Sequence, residues 1–397
     1  MAVATPELYW DPFDIEIDSN PYGIWKRMRD EAPVYRNDKH DFYALSRFDD
    51  VEAASKEPLL FTSGHGTVLE IMGNERITTD MMIFMDPPDH TKLRTLVSRA
   101  FTPRRVLSQE ANIRAICNGL LDQVGTEFDF VQDFAARVPS MVISQLFGVP
   151  ASDQESVREL IDETFYLEPG AGMINERSFN AQIKLFEYFN GQLAERRTKP
   201  RDDMFTDMTT AEIKLDDGST RKLTELEAAN FAILIVSAGT ETVARLLGWA
   251  SILLDQHPDQ RADLVANREA ITNAIEELLR FEAPSPVQGR WLTDDVELHG
   301  QVMPKDSKVL LLTGSAGRDE RRYPNADVFD VRRKFDQHLS FGYGIHFCIG
   351  AALARLESRL ALDVVFDRFP EWTVDHDRAV RLHTSTVRGW INVPVSV

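Results

Sequence analysis

The stretch Phe341-Gly342-Tyr343-Gly344-Ile345-His346-Phe347-Cys348-Ile349-Gly350, followed by Ala351-Ala352-Leu353-Ala354-Arg355-Leu356-Glu357, decides how this chain is read. One cysteine sits between a glycine-rich turn and the start of an amphipathic helix. The glycines permit φ > 0 and leave no side chain between the loop and a large flat ligand. The helix that follows turns its first N–H groups toward the sulfur, favouring the thiolate and tempering its electron donation. In isolation, a cysteine beside a helix is more often a small buried hydrophobe. A lone cysteine cannot assemble a thiolate zinc site, but it can supply the single axial ligand of a haem iron.

With 397 residues the chain exceeds the size at which single cores usually stop growing, and its 43% hydrophobic content supplies a large interior. The formal charge of −19 argues against nucleic acid as a partner, because phosphate binding needs a basic face. Cys117 and Cys348 are the two cysteines, so there is no disulfide framework and a reducing compartment fits. Cys117 falls among Ile113, Ile116, Leu120 and Leu121 on an apolar helical stretch and reads as inert packing. Met1 to Asp14 contains neither a signal-peptide core nor a membrane span, so a soluble, cytoplasmic protein without a membrane anchor is expected.

Val34-Tyr35 and Phe42-Tyr43-Ala44-Leu45 read as strand pieces around the polar turn Asn37-Asp38-Lys39-His40. From about Asp89 to Leu264 the apolar period is helical. Leu167 to Asn175 interrupts it as a loop, and Lys214 to Ser219 reads as a hairpin tip. A long helix begins at Thr224, where Thr224 and Glu227 form a capping box, and runs to Gln256 before His257-Pro258. At 1.5 Å per residue it spans about 48 Å, long enough to cross a core. A second helix carries Glu276 to Phe281. Short strands follow at Val296-Leu298 and Lys308-Leu312, then an irregular stretch from Gly317 to His338.

Inside the long helix lies Ala238-Gly239-Thr240-Glu241-Thr242. Gly239 costs about 1 kcal/mol against alanine there, which implies a steric reason for it. Threonine can bond back to the carbonyl of residue i−4 and bend the helix. An alcohol backed by a carboxylate suits proton delivery to bound oxygen in a water-excluded groove, and Thr242 with Glu241 supplies that pair. Taken alone, the segment also reads as an ordinary polar patch on a partly buried helix.

The run F-G-x-G-x-H-x-C-x-G-x-x-L-A-R-x-E from Phe341 to Glu357, together with A-G-x-E-T, resembles the cytochrome P450 superfamily, and its soluble bacterial branch in particular. The resemblance implies a mainly α, single-domain helical prism over 1–397. It places small β-rich portions near 30–65, 290–315 and 380–397, a helical core at 89–281 and a haem-thiolate loop at 338–350. It implies haem b held by Cys348 as metal ligand, with Phe341, Gly342 and Gly350 in the cofactor loop. Thr242 becomes the oxygen-activating alcohol and Glu241 the adjacent acid, where many relatives carry aspartate. Glu277-Leu278-Leu279-Arg280 is an E-x-x-R pair that the family joins to an arginine of the irregular stretch, here Arg333. A buried triad of that kind adds little net stability and instead fixes the cysteine loop. His90 and Arg94, one helical face apart, with Arg290 and His338, match the family's propionate partners.

The resemblance also implies a pocket over the haem, built from Val68, Leu69, Phe84, Phe165, Val236, Ala238, Val287, Gln288 and Thr386. These residues are mostly apolar, so a hydrophobic small molecule is expected, of terpenoid, steroid or fatty-acyl type. Too few residues follow Cys348 for a flavin or nicotinamide domain. Electrons are therefore expected from a separate ferredoxin and ferredoxin reductase, with NAD(P)H used indirectly, reaching a monomer through a basic face of Lys92, Arg99, Arg104, Arg105 and Arg359. The resulting expectation is a dioxygen-dependent monooxygenase. A peroxide-driven haem-thiolate peroxygenase and a non-catalytic haem-binding ligand sensor are the alternatives.

Overall fold

The caps fix the longest element. In the computed structural model, which describes residues 7–98, 101–168, 172–215 and 217–397, Thr224 Oγ1 accepts from the Glu227 N–H at 3.1 Å. The Glu227 carboxylate accepts from the Thr224 N–H at 2.7 Å. Two orphan donors are thus satisfied reciprocally. The helix then runs Glu225–Gln256, 32 residues, and stops at His257 ahead of Pro258.

The helices that position the site are α1 (Asp89–Ser98), α2 (Arg137–Phe147), α3 (Gln154–Thr164), α4 (Glu225–Gln256), α5 (Ile271–Phe281) and α6 (Ala351–Arg368). The long helix α4 threads two hydrophobic clusters. Its first half shares Phe231, Ile233 and Val236 with Ile143 and Phe147 of α2 and with Val157 and Ile161 of α3. Its second half shares Leu246, Leu247 and Leu253 with Ile275 of α5 and with Leu360 and Ala361 of α6. By length and composition α4 is apolar enough to cross a membrane, but its sides are largely buried against these neighbours. Cys117 lies in the second cluster with no exposure, and burial pushes its thiol up to about 12.

The β lobe is assembled from two distant parts of the chain. Its strands are β1 (Val34–Asn37), β2 (Phe42–Leu45), β3 (Phe61–Thr62), β4 (Gln288–Leu292) and β5 (Lys308–Leu311), in the spatial order β1-β2-β5-β4-β3. β5 lies parallel to β2 and antiparallel to β4, with Val309 opposite Arg290. This pairing carries Arg290 from the C-terminal half into the sheet that faces the site. A hairpin of β6 (Val380–His383) and β7 (Arg388–Asn392) lies in the last part of the chain. The hairpin expected at Lys214 to Ser219 joins strands Glu212–Lys214 and Thr220–Lys222, with Asp216 outside the described residues. Of the loop expected at Leu167 to Asn175, residues 169–171 also lie outside them.

Candidate active site

The cysteine loop is shaped by backbone constraints. The Cys348 N–H donates to the Phe341 carbonyl at 2.8 Å, closing the loop on itself. Gly342 and Gly344 hold φ of +71° and +68°, in the left-handed region that favours glycine. At Gly344 a Cβ would also overlap the Ser55 carbonyl oxygen, so a side chain is excluded twice over. Helix α6 begins at Ala351, directly after Gly350. Burial pushes the Cys348 thiol up, while the N–H groups of Gly350 and Ala351 and the charges of Arg94 and Arg355 act in the opposite direction. The sulfur therefore faces donors from one side and an apolar cavity from the other.

Behind the loop lies a buried network. The Glu277 carboxylate accepts from Arg280 Nε and Nη2, each at 2.7 Å, from the Asp330 N–H at 3.0 Å and from Arg333 Nε at 3.2 Å. Arg280 in turn donates to the carbonyls of Gly317 at 2.6 Å and Ala326 at 2.9 Å. The structure thus brings Glu277, Arg280 and Arg333 together and uses them to hold the irregular chain that precedes the cysteine.

His338 requires a correction. Its Nε2 sits 3.1 Å from Glu276, whose carboxylate also accepts from Arg355 at 2.6 and 2.9 Å. Its Nδ1 accepts from the Ser340 N–H at 3.2 Å. Both ring nitrogens are therefore engaged, by Glu276 of α5, itself bonded to Arg355 of α6, and by the Ser340 N–H. Burial opposes the Glu276 charge, but the bonds from Arg355 and His338 outweigh it and hold this carboxyl at about 2.

The group that joins His90, Arg94 and Arg290 is His346. Its ring centroid lies 4.3 Å from that of His90, and its Nε2 is 3.2 Å from Ser63 Oγ. The signal was present in the sequence, as the histidine two residues before the cysteine. Arg94 donates to the Phe347 carbonyl, and Arg290 donates to the Gly289 carbonyl at 2.7 Å. Among the described residues neither arginine forms an ion pair, and His90 is buried with both ring nitrogens lacking any hydrogen-bond partner. Burial lowers Arg94, pulls Arg290 down to about 10 and His90 to about 4, and takes His346 to about 2, where the neighbouring cations add to it. Buried donors without acceptors are costly, and a pair of carboxylates entering this corner would satisfy them. The residues present therefore fit a haem, with its propionates among these four side chains and its iron toward Cys348.

The facing wall comes from α4. Ala238, Gly239, Thr242 and Val243 line the same cavity as Cys348, Phe341 and Gly350. Thr242 Oγ1 donates to the Ala238 carbonyl at 3.2 Å, and Thr240 Oγ1 to Val236 at 2.9 Å. At Gly239 a Cβ would come to 3.3 Å from Ile143 of α2, so the glycine keeps that wall close. Glu241 points elsewhere. It is buried outside the cavity lining, where Arg245 Nη2 and Nε donate to its Oε2 at 2.6 and 3.0 Å.

Of the expected pocket residues, Ala238 and Gln288 line this cavity. The others are placed differently by packing. Leu69 and Val287 are buried with Trp10 and Trp25 in the β lobe's own cluster, and Val236 is buried between α4 and its neighbours. Phe165 packs on the cluster around the first half of α4, Val68 and Phe84 are half-buried in the loop before α1, and Thr386 is buried in the β6–β7 turn. Ile143, Leu246, Pro284 and Ser285 line the cavity instead. Ile143 carried no signal in the sequence, because it reads as one more apolar position of a buried helix.

The cytochrome P450 family model matches residues 40–394. Cytochrome P450 123 of Mycobacterium tuberculosis is 37% identical over 400 residues, covering 100% of this chain and 98% of that protein. A solved mutant of P450 EryK, an S. erythraea protein, in complex with erythromycin B has a TM-score of 0.87 at 32% identity, over 96% of each chain. P450BioI in complex with hexadec-9Z-enoic acid ligated acyl carrier protein has a TM-score of 0.85 at 31% identity, over 96% of this chain and 99% of that one. The fold and the matched sequence define a haem-dependent monooxygenase, and this chain belongs to the cytochrome P450 family.

Proposed function

We propose that this protein inserts one oxygen atom from dioxygen into a hydrophobic small molecule of terpenoid, steroid or fatty-acyl type, with electrons from ferredoxin and a ferredoxin reductase that oxidises NAD(P)H. The observation that carries the reading is the cavity itself, with Cys348 on one wall and Gly239 and Thr242 on the other. Haem b bound in that cavity would supply the oxygen chemistry, with a thiolate ligand tuning its electron donation. The protein's residues bind, exclude water and move protons. Cys348 would hold the iron, while His90, Arg94, Arg290 and His346 would hold the propionates. The Thr242 hydroxyl donates toward the reacting oxygen, and Glu241 resupplies its proton. Ile143, Ile235, Val243 and Leu246 keep the cavity apolar, which suits substrates without a charged anchor. Erythromycin B in one structural neighbour and a hexadecenoic acid carrier in another accord with that breadth.

The thiolate side offers a partner surface of mixed character. Val106, Leu107, Ile275 and Leu356 form an apolar groove with Arg355 and Arg359, and Leu107 is 63% exposed. Arg104 is exposed beside it, whereas Arg105 is drawn to Asp207 at 2.6 Å. Arg359 and Lys92 lie 3.5 and 3.4 Å from Glu110 and Asp89, and Arg99 lies outside the described residues. An acidic ferredoxin contacting this face would combine Coulomb steering with an apolar centre.

Turnover of a hydrophobic substrate panel tests the function. Product with ferredoxin, reductase and NAD(P)H, and diversion of those reducing equivalents from product to hydrogen peroxide in Thr242→Ala, supports the monooxygenase. Product with peroxide alone identifies a peroxygenase. Ligand binding without product under either condition identifies a sensor.

A further inference from the structure

One face of α6 lines the cavity, because Gly350, Leu353, Ala354 and Glu357 recur at helical spacing. The last of these is a carboxylic acid. Glu357 is 2% exposed, and Val243 and Leu246 of α4 add apolar lining to the same cavity. Among the described residues no group hydrogen-bonds to its carboxyl and no cation forms an ion pair with it. Glu357 is thus a buried acid that shares a cavity with Cys348 and contributes no polar contact to the fold. Buried polar groups of this kind are rare, because each forfeits its hydration without compensation.

The charged groups on the elements packed against α6 are engaged elsewhere. On α5, Glu276 is closed on Arg355 and His338, and Glu277 on Arg280 and Arg333. On α4, Glu241 and Arg245 pair with each other. Arg137 of α2 lies 3.8 Å from Glu155. On the helix Glu110–Leu121, Arg114 pairs with Asp363 at 2.8 Å and Glu110 with Arg359 at 3.5 Å. The titratable group of that helix that feels Glu357 is Cys117, a buried thiol. On the helix Pro103–Leu107, Arg105 pairs with Asp207 and Arg104 is exposed. Cys348, as a thiolate, would add a like charge. Burial alone acts on the Glu357 carboxyl, and it pushes the acid well above the usual carboxylate range.

We propose that Glu357 is a neutral acid beside the haem site whose proton is linked to the electron on the iron, so that reduction by the redox partner is proton-coupled. The inference rests on the reading of Cys348 as the axial ligand of a haem in this cavity. Ferric iron, a doubly negative porphyrin and one thiolate sum to zero charge, and an added electron makes that group net negative. A carboxylate in the same low-dielectric cavity is then repelled more strongly, so the reduced protein binds the Glu357 proton more tightly than the oxidised protein does. By reciprocity, the protonated protein binds the electron more tightly. Where the oxidised protein carries Glu357 as a carboxylate, one electron passes from ferredoxin to the iron and one proton passes to a Glu357 oxygen. One O–H bond forms there, and one breaks in the hydronium or buffer acid that supplies the proton. Glu357 is a positioning residue in this step and acts on the iron through charge.

Spectroelectrochemical titration of the substrate-free holoprotein against pH, with dithionite and ferricyanide, tests the linkage. Redox-induced infrared difference spectra test the protonation. The wild-type potential is expected to be level on the acid side and then to fall with rising pH. The fall is up to about 59 mV per pH unit, the one-electron equivalent of a tenfold change. Glu357→Gln is expected to lose that slope and stay near the acid plateau, and Glu357→Asp to keep one. The wild-type infrared spectrum is expected to carry a protonated-carboxyl C=O feature that Glu357→Gln lacks and Glu276→Gln keeps. Three results overturn the proposal: a wild-type potential independent of pH, the wild-type slope in Glu357→Gln, or a wild-type infrared spectrum without that feature. The first and third require no variant to fold. If the wild type lacks the red-shifted ferrous–carbon monoxide band, the haem-thiolate reading falls and the linkage with it. With that band present, any of the three results strikes the linkage alone.

Discussion

Glu277→Gln is the perturbation whose cost follows most directly from the geometry. Glu277 has no exposed surface and accepts four hydrogen bonds, three of them from two guanidiniums. Arg280 is equally buried and holds the Gly317 and Ala326 carbonyls, while Arg333 holds Pro324 at 2.6 Å and Val328 at 2.8 Å. The amide replaces one acceptor oxygen by a donor and removes the charge, leaving a buried cation uncompensated. Breaking a buried pair in this way costs about 3–5 kcal/mol. With an unfolding entropy of about 2.1 cal/mol/K per residue, a chain of this length loses about 4–6 °C in Tm. Calorimetry of the holoprotein, paired with the rate at which haem passes to apomyoglobin, measures both stability and the anchoring of the cysteine loop. A Tm within about 1 °C of wild type and an unchanged transfer rate would refute the network's role. Replacing both partners, Glu277→Leu with Arg280→Met, is expected to cost less than Glu277→Leu alone.

The clamp around Glu276 gives an acid-sensitive contribution. Its carboxyl is held at about 2, so its stabilisation is present above pH 4.5 and lost as pH falls through about 2. The full contribution is at most about 3 kcal/mol, and the difference in urea stability between wild type and Glu276→Gln roughly halves or better between pH 6 and pH 3. His346→Ala removes one partner of a carboxylate and is expected to speed haem transfer to apomyoglobin by about 10–100-fold, whereas His338→Ala changes it by only about a few-fold. Arg104→Glu is expected to slow reduction by ferredoxin and weaken its salt dependence, while Arg105→Glu, already tied to Asp207, changes either by less than about twofold in stopped-flow traces.

What the sequence discloses depends on how local the constraint is. The cysteine loop is contiguous, with its glycine turn and the start of α6 set by the local backbone, so Phe341 to Glu357 could be read directly even though Ser55, Arg94 and Glu276 also hold it from afar. The capping box at Thr224 and the breaker at His257-Pro258 set the ends of α4 for the same reason. The pieces of the β lobe were visible but their pairing was not, because β4 and β5 reach β2 and β3 from the far side of the helical core. Side-chain direction was the least legible property. Glu241 and Thr242 are adjacent, yet successive helical positions point about 100° apart, so one lines the cavity and the other meets Arg245. His338 and His346 are both histidines of one loop, and only the fold shows that Glu276 takes the first while His90 meets the second. Leu69, Val236 and Val287 illustrate the same limit, since an apolar residue near a cavity satisfies a core contact as well as a ligand contact.

The central claim is that Cys348 is the axial thiolate, and one optical measurement addresses it. The ferrous protein under carbon monoxide is expected to show the strongly red-shifted Soret band of thiolate-ligated haem in wild type and in Cys117→Ala. In Cys348→His the band is expected at the position of imidazole-ligated haem. Retention of the red-shifted band in Cys348→His, or its absence from the wild type, would contradict the account.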